Sequence, residues 1–378
     1  MIPVRQRRFT PLHLLLAVAL TAAVCVAGGL LALRLWLGPC GASLVRALDL
    51  VEERFVGEYD ETAAVDAALE GLVDGLGDRW SYYLTAEELA AQELRRTNHY
   101  VGVGITVNYT DEAGLLIVEV AAGGPAEAAG LVPGEIITAV DGQSLAGEAR
   151  YEGADLIQGE EGTAVTLTVR GIDGAERTVE AVRASLETDP VSYEMLEGDV
   201  GYVALSNFYD GSADRLAEAV ADLQEQGARA LVFDMRNNGG GYLHELTDML
   251  DFLLPEGPIF ITRDKAGNEE ITQSDAACVD LPMAVLVNAN TYSAAEFFAA
   301  ELQERDAAVI VGEPTSGKGY SQQTFTLPHG GAVAISTAAY FTGSGTSLIG
   351  TGLTLDAEVY NTGAEDAQLA AALELLES

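Results

Sequence analysis

The chain opens with a long apolar run. From Phe9 to Leu33 it carries no Asp, Glu, Lys or Arg, and at about 1.5 Å per helical residue this run can cross a hydrocarbon core of about 30 Å. Three arginines precede the run, so the positive-inside rule leaves the N-terminus cytoplasmic and the bulk of the chain outside. A cleaved signal peptide is the alternative, but its apolar stretch usually has only about 7–15 residues. The pattern favours a cytoplasmic tip and transmembrane anchor over 1–40 in a single-pass plasma-membrane protein.

Three patterns follow the anchor. Over 41–98 apolar residues recur at spacings of three and four, which predicts an N-terminal helical segment. Over 99–183 short alternating strands are separated by Gly and Asp-Gly turns, as in a small β domain. Over 184–378 strands alternate with helical stretches, and the chain ends in an amphipathic helix. The predicted fold class is therefore α/β, in a multidomain α+β arrangement behind a membrane-spanning helix.

Charge narrows the choice of partners. Asp and Glu number 58 against 20 Lys and Arg, which gives a formal net charge of −38. Such a chain repels phosphate backbones and anionic lipid surfaces, so nucleic acid is not an expected partner. Of the three cysteines, Cys25 lies in the apolar run, and Cys40 and Cys278 form an unproven pair that we interpret as incidental.

One serine stands at a strand-to-helix boundary. In "VLVNANTYSAAEFFA" a β-branched apolar run gives way to an alanine-rich helix that begins behind Ser293. Glu296 follows three positions later, so the simplest interpretation is a capping box that satisfies the first free amides of the helix. A catalytic nucleophile is the alternative interpretation, and the two are compatible.

A glycine-rich loop carries a lysine. "GEPTSGKG", from Gly312 to Gly319, matches the first seven positions of a phosphate-binding P-loop. Its eighth position is glycine, so no hydroxyl is available for magnesium, and a predicted strand follows where a helix N-terminus is required. A nucleotide hydrolase is therefore disfavoured.

Lys318 in this loop has two interpretations. It is either an ordinary solvated charge or, if enclosed, an amine whose pKa falls from about 10.4 toward neutrality. A neutral lysine can serve as general base for a serine nucleophile. His244, beside the glycine-rich "NNGGG" turn, is the rival base, although its place in an amphipathic helix favours a packing role.

The β domain carries a recognisable stretch. "GGPAEAAGLVPGEIITAVDGQSL" closely resembles a PDZ domain. In that family a glycine-containing loop offers backbone amides to a peptide's terminal carboxylate, and the peptide adds to the sheet edge as a strand. The resemblance places this loop in "YVGVGI", at Gly102, Val103 and Gly104. On the loop alone, the glycines could simply permit a tight turn.

Three motifs in the last segment resemble one peptidase family. "FDMRNNGGG", "NANTYSAAE" and "GEPTSGKGYSQ" are similar, in this order, to the signatures of the carboxyl-terminal processing (tail-specific) serine peptidases. Members join a helical segment, an inserted PDZ domain and a crotonase-like α/β core. The resemblance implies that Ser293 is the nucleophile, Lys318 the general base and Gln322 the residue that orients the lysine amine. It also implies an oxyanion hole built from the amides of Gly240 and Ala294.

Simple strand alternation fits this assignment, since positions 318, 320 and 322 share a face if the strand begins at Lys318. The sequence also departs from the family. Gly239 and Gly343 stand where prolines are usual, and Gln158 stands where a basic residue is common. The Gly239 substitution leaves open which amide of the 239–241 run completes the oxyanion hole.

The resemblance predicts a membrane-anchored serine endopeptidase whose extracytoplasmic catalytic region recognises protein C-terminal tails through its PDZ domain. It implies no metal or cofactor. The expected partners are protein substrates with accessible C-terminal tails and, through the N-terminal helix, the membrane. Whether the helical ends build a homodimer is left open. The alternative is a PDZ-containing binding or scaffold protein with an inactive or permanently gated core.

Overall fold

The computed structural model describes residues 11–363 and 365–377, so the predicted cytoplasmic tip lies outside the described residues. The chain divides into two compact units, up to Val65 and from Asp66 onward. The first unit contains helix α1 (Pro11–Arg54), which is interrupted at Gly38, where φ is 61°. Pro39 follows, and a proline cannot donate the helical hydrogen bond at its position. Helix α2 (Glu61–Asp74) comes next along the chain.

Most apolar side chains of α1 are exposed, and Leu37 and Ala42 are half-buried. Leu14–Arg54 is the one stretch, among the residues described, that is long and apolar enough to span a membrane. A signal sequence near an N-terminus would meet the same criterion.

The second unit begins within α2 and continues with a short strand and a helix. Strand β1 (Tyr82–Leu84) precedes helix α3 (Ala86–Arg96). Thr85 caps α3 through a complete capping box with Glu88, as its position predicts. The segment 41–98 is therefore not purely helical. Strand β1 forms because it pairs with residues 332–334, which are distant in the sequence.

The β domain has its own buried core, formed by side chains such as Leu115, Ile137 and Leu167. Two strands, β2 (His99–Gly102) and β9 (Ala184–Glu187), pair with each other at its entrance and exit. The remaining strands form one antiparallel sheet in the order β3-β4-β5-β7-β8, with β6 on β5, so β3 is an edge strand. These elements are β3 (Ile105–Asn108), β4 (Leu115–Val120), α4 (Pro125–Ala128), β5 (Ile136–Val140), β6 (Gln143–Ser144), a 3₁₀ helix (Gly147–Glu152), α5 (Gly153–Ile157), β7 (Ala164–Arg170) and β8 (Glu176–Val182).

A six-stranded sheet forms the centre of the last segment. Its order is β10-β11-β12-β15-β16-β19, and all neighbouring pairs are parallel except the edge pair β10 and β11. Helices cover both faces, which explains why its central strands are continuously apolar. The elements are β10 (Val191–Leu196), β11 (Val200–Leu205), α6 (Ser212–Gln226), β12 (Ala230–Asp234), α7 (Leu243–Leu253), β15 (Met283–Val287), α8 (Ala294–Glu304), β16 (Ala308–Gly312), β19 (Ala357–Glu358) and α9 (Ala367–Glu377).

A second sheet completes this segment. It contains β13 (Gly257–Asp264), β14 (Glu269–Ser274), β17 (Tyr320–Thr326) and β18 (Ala332–Phe341). The long strand β18 pairs with β13, with β17 and with β1, which brings the 82–84 segment beside 332–334. The predicted mixed α/β architecture, with an N-terminal apolar helix and a separate β domain, is confirmed.

Candidate active site

Ser293 lies at the turn between β15 and α8. Its backbone has φ 61° and ψ −126°, which a residue with a side chain rarely adopts and which costs about 1–3 kcal/mol. Such strain persists only where the surrounding structure enforces it, and it is frequent at functional sites. Ser293 is only 9% exposed and lines a cavity of about 330 Å³, which we call the cleft. Residues lining the cleft include Arg79, Trp80, Arg96, Tyr242, Lys318 and Gln322.

Glu296 connects the serine turn to the glycine-rich loop. Its fully buried carboxylate accepts hydrogen bonds from the amide of Ser293 at 3.1 Å and from the amides of Gly317 and Lys318 at 2.7 and 2.9 Å. The Glu296 half of the predicted capping box is present, whereas the amide of Glu296 donates to the backbone carbonyl of Ser293 at 2.9 Å. Because Glu296 engages two amides of the glycine-rich loop, those amides are not available to cradle a phosphate, which argues against the P-loop interpretation. Sequence reasoning assigned Glu296 only its local capping role.

Lys318 lines the same cleft as Ser293, and aromatic rings surround its amine. Its Nζ lies 4.9 Å from the ring centroid of Trp80 and 5.6 Å from that of Tyr292. Burial lowers the pKa of the amine to about 8, an effect that nearby Arg96 strengthens and that Asp78 and Glu296 oppose. The amine is therefore far easier to deprotonate than an exposed lysine.

Gln322 lines the same cleft but bonds elsewhere. Its Nε2 donates to the carbonyl of Tyr320 at 3.0 Å and to Oγ of Ser336 at 3.1 Å. Among the described residues it has no hydrogen bond to Lys318. Strand β17 begins at Tyr320, and its register shifts between Ser321 and Gln322. Strict alternation from Lys318 is therefore not the reason that these side chains share the cleft.

Asp78 is a member of the site that sequence reasoning missed. It accepts hydrogen bonds from Oγ of Ser81 at 2.6 Å and from the amide of Trp80 at 3.1 Å, and Ser81 Oγ in turn accepts from the amide of Ser336. Burial raises the pKa of its carboxyl, but hydrogen bonds from Ser81 and Ser336 and the charge of Lys318 together lower it. No short motif marks Asp78, since it meets Lys318 only in the folded chain.

The glycine run at 239–241 passes directly behind the nucleophile. Gly240 has φ 81°, and a Cβ there would lie 2.8 Å from the amide nitrogen of Ala294 and 3.0 Å from Cβ of Ser293. Only glycine fits this approach. The amide of Gly240 donates to Oδ1 of Asn238 at 2.8 Å. The amides of Gly239 and Gly241, both lining the cleft, have no hydrogen-bond partner among the described residues. Ala294 is the first residue of α8, where amides lack helical acceptors.

His244 lies outside the cleft lining. Its side chain is 61% exposed and stacks on Tyr242, with the ring centroids 5.2 Å apart. Possible metal ligands of Asp210, His244 and Glu245 lie within 4.8 Å of one another. The carboxylate of Glu245, however, accepts hydrogen bonds from two amides and a hydroxyl at the start of α6. This trio therefore has a structural explanation as a helix cap.

Gly343 contacts a buried acid of α8. Its amide donates to Oε2 of Glu301 at 2.8 Å, a bond that a proline at this position could not make. Glu301 is 1% exposed, and its Oε1 has no partner among the described residues. Burial raises the pKa of Glu301 to about 7, from an ordinary value of 4.5.

The β domain has a groove between its edge strand β3 and helix α5. A cavity of about 60 Å³ is lined there by Gly102, Val103, Gly104 and Ile157, among others. The amides of Val103 and Gly104 have no hydrogen-bond partner in the described part of the chain. Gly104 has φ 81°, and exposed Gln158 borders the groove. This edge can accept an extended peptide strand and offers two amides beside it.

Two family models match the chain. Residues 199–359 match peptidase family S41, and residues 116–171 match the PDZ domain. A carboxy-terminal-processing protease of Bartonella bacilliformis is 32% identical over 316 residues, covering 81% of this chain and 72% of that protein. The chloroplastic carboxyl-terminal-processing peptidase 2 of Arabidopsis thaliana is 31% identical over 306 residues, covering 76% of this chain. The alignment spans only 59% of the length of the Arabidopsis protein.

A solved structure is similar as well. The photosystem II D1 C-terminal processing protease superposes with a TM-score of 0.52 at 29% sequence identity, covering 87% of this chain and 90% of that one. The fold and the family resemblance predicted from the three motifs are therefore confirmed.

Proposed function

Since this chain belongs to peptidase family S41, we propose that it is a serine endopeptidase in which Ser293 is the nucleophile and Lys318 the general base. One observation carries the assignment. A strained, nearly buried serine and a lysine with a lowered pKa line the same cleft, and one carboxylate holds both of their backbone segments. No histidine is needed for such a pair.

The proposed reaction has two stages. Ser293 Oγ attacks the carbonyl carbon of the peptide while Lys318 Nζ accepts the hydroxyl proton. The tetrahedral intermediate collapses, the lysine ammonium gives its proton to the leaving amine, and an acyl-enzyme remains. Lys318 then takes a proton from water as the water oxygen attacks the acyl carbon. The second tetrahedral intermediate collapses, its bond to Ser293 Oγ breaks, and the lysine ammonium returns the proton to Ser293 as the acid product leaves. We assign to Gln322 the orienting of the Lys318 amine, which requires its Oε1, because its Nε2 donates to Tyr320 and Ser336 in the structure.

We assign the oxyanion hole to the amides of Ala294 and Gly240, at the positive end of α8. In the structure Asn238 engages the Gly240 amide, so this assignment requires that amide to exchange its side-chain acceptor for the substrate oxygen. Gly239 and Gly241 are the alternative donors, because their amides are unengaged among the described residues.

Substrate capture is proposed for the groove between β3 and α5. The amides of Val103 and Gly104 would donate hydrogen bonds to a terminal carboxylate, and the tail would extend along β3. Helix α1 would anchor the protein in the plasma membrane with the N-terminus cytoplasmic and the peptidase extracytoplasmic. Its exposed apolar side chains and the arginines before it support this proposal.

The test uses the full-length chain in detergent and an unstructured reporter that ends in an apolar tail. Wild type should cut it, while Ser293→Ala and Lys318→Ala should not, although both stay folded. The chain has one other lysine, so Lys265→Ala is the matched control and should cut normally. Loss of cutting in His244→Ala but not in Lys318→Ala would give the base to the histidine. If no variant cuts, yet the reporter binds and an amidated reporter does not, the scaffold alternative replaces this proposal.

A further inference from the structure

The cleft has a charge opposite to that of the chain. Acidic residues outnumber basic residues 58 to 20 overall, yet the cleft is lined by Arg79, Arg96 and Lys318 and by no aspartate or glutamate. Asp78 and Glu296 interact with Lys318 but do not line the cleft. Most of its other side chains are aromatic, including Trp80 and Tyr242. The cationic lining of this concave site favours an anionic ligand.

Arg96 is the cation best placed to meet such a ligand. It extends from α3, is half-buried, and holds its guanidinium 5.5 Å from the ring centroid of Tyr242. None of the described carboxylates forms an ion pair with it. Arg170, Arg177 and Arg215 are paired with acids, and Arg150, Arg183 and Arg305 donate to backbone carbonyls. The guanidinium of Arg96 has no hydrogen-bond acceptor among the described residues.

The other two cations are already engaged. The Arg79 guanidinium lies 4.2 Å from the ring centroid of Trp80 and donates to the carbonyl of Ser316 at 3.0 Å. Lys318 must lose its proton to act as a base, so its charge is absent in the reactive state. Arg96 therefore supplies the positive charge that remains in the cleft when the reaction begins.

An acidic substrate would also need this arginine for a second reason. A lone carboxylate near Lys318 would stabilise its ammonium form and so weaken the base. A carboxylate paired with Arg96 forms a charge-assisted hydrogen bond, and the nearby opposite charges largely cancel at Lys318. The cleft can thus accept an acidic side chain without protonating its own base.

We propose that the cleft selects peptide segments with an aspartate or glutamate next to the scissile bond, and that Arg96 binds this carboxylate. The inference rests on the proposed peptidase function, to which it adds a substrate class.

The test uses full-length protein and reporters with one fixed C-terminal tail. Glutamate or glutamine is placed at each of the positions flanking the cut. Wild type should prefer glutamate over glutamine about tenfold in kcat/KM at one of these positions. In Arg96→Gln the kcat/KM values for the glutamate and glutamine reporters should become equal. Arg95→Gln should keep it, because Arg95 is the exposed neighbour on the same helix, lies outside the cleft lining and changes the net charge equally.

A binding measurement separates this inference from the proposed function. In a Ser293→Ala background, the glutamate reporter should bind about tenfold more tightly than the glutamine reporter, and Arg96→Gln should remove the difference. Tight, Arg96-dependent binding without cutting by the parent chain would overturn the peptidase proposal alone. Cutting with equal rates and equal affinities for the two reporters would overturn the acidic preference alone.

Discussion

The backbone amide of Lys318 donates a hydrogen bond to the carboxylate of Glu296 at 2.9 Å, although 22 positions separate the two residues in the chain. The same carboxylate accepts from the amide of Ser293. The proposed base and nucleophile are therefore positioned by one buried side chain. The distance between their backbones is fixed even though they lie on different loops.

Replacing Glu296 by glutamine should disturb both loops. A carboxylate can accept from all three amides, whereas a glutamine turns an NH₂ group toward some of these donors. The expected cost is roughly 2–4 kcal/mol of unfolding free energy, with a large loss of kcat. Denaturant melts and reporter cleavage measure both effects. Glu304→Gln, exposed near the end of the same helix, should behave as wild type. Unchanged stability and activity of Glu296→Gln would contradict the positioning role.

Cleavage should depend on pH through Lys318. Only the neutral amine accepts a proton, and its pKa is lowered to about 8. The rate should therefore rise about tenfold per pH unit up to pH 8 and level off above about pH 9. A profile of kcat/KM from pH 6 to 9.5 measures this. With only two lysines in the chain, NMR of ¹³C-methylated protein can titrate Lys318 beside exposed Lys265. A Lys318 titration as high as that of Lys265 would rule out the base assignment.

Asp78→Asn should move this profile. The carboxylate of Asp78 raises the pKa of Lys318, so removing its charge should lower that pKa and shift the midpoint of the profile to lower pH. The rate at pH 6.5, relative to the plateau, should rise severalfold. Asp74→Asn, an exposed change of the same charge, should leave the midpoint in place. A midpoint that moves upward or stays fixed in Asp78→Asn would refute the electrostatic contribution.

Glu301 should make stability fall as pH rises. Its folded pKa is raised to about 7 from 4.5, so the folded state holds an additional proton between these values. The stabilisation is complete below about pH 4.5 and is lost as pH rises through 7. The difference corresponds to roughly 3 kcal/mol. Glu301→Gln mimics the protonated acid and should flatten this part of the curve in thermal melts between pH 5 and 8. Equal pH slopes for the two proteins would contradict the raised pKa.

Gly240→Ala tests the approach of the glycine run to the nucleophile. An added Cβ would press against the amide of Ala294 and Cβ of Ser293, so kcat should fall about a hundredfold. Gly227→Ala is the matched control, because Gly227 also has a positive φ, of 102°, but nothing lies within 4 Å of its added Cβ. Gly227→Ala should lose about 1 kcal/mol of stability and keep cleavage. Gly240→Ala adds a steric clash to the same backbone strain, so it should lose more stability and also lose cleavage. Comparable kcat in the two would remove Gly240 from the site.

Local sequence patterns predict most of the secondary structure around the nucleophile. The strand before Ser293 and the helix after it can be predicted from the sequence because apolar runs and helix caps depend on only a few neighbouring residues. The set of residues that line the cleft cannot be predicted from such local patterns. Arg96 lines it and Asp78 lies near Lys318 because β1 pairs with β18, about 250 positions away, and no short-range rule reports such a pairing. The register shift near Gln322 is not predicted for the same reason, since strand register depends on the partner strand.

The paired strands β2 and β9 determine how the PDZ domain is attached. Gly102 and Ala184 are register partners, so the polypeptide leaves for this domain and returns from it at adjacent points. An insertion with neighbouring ends can be exchanged with little disturbance of its host. A different binding domain could be inserted between these two residues. The product would be a peptidase core whose substrate-binding domain is chosen by the experimenter.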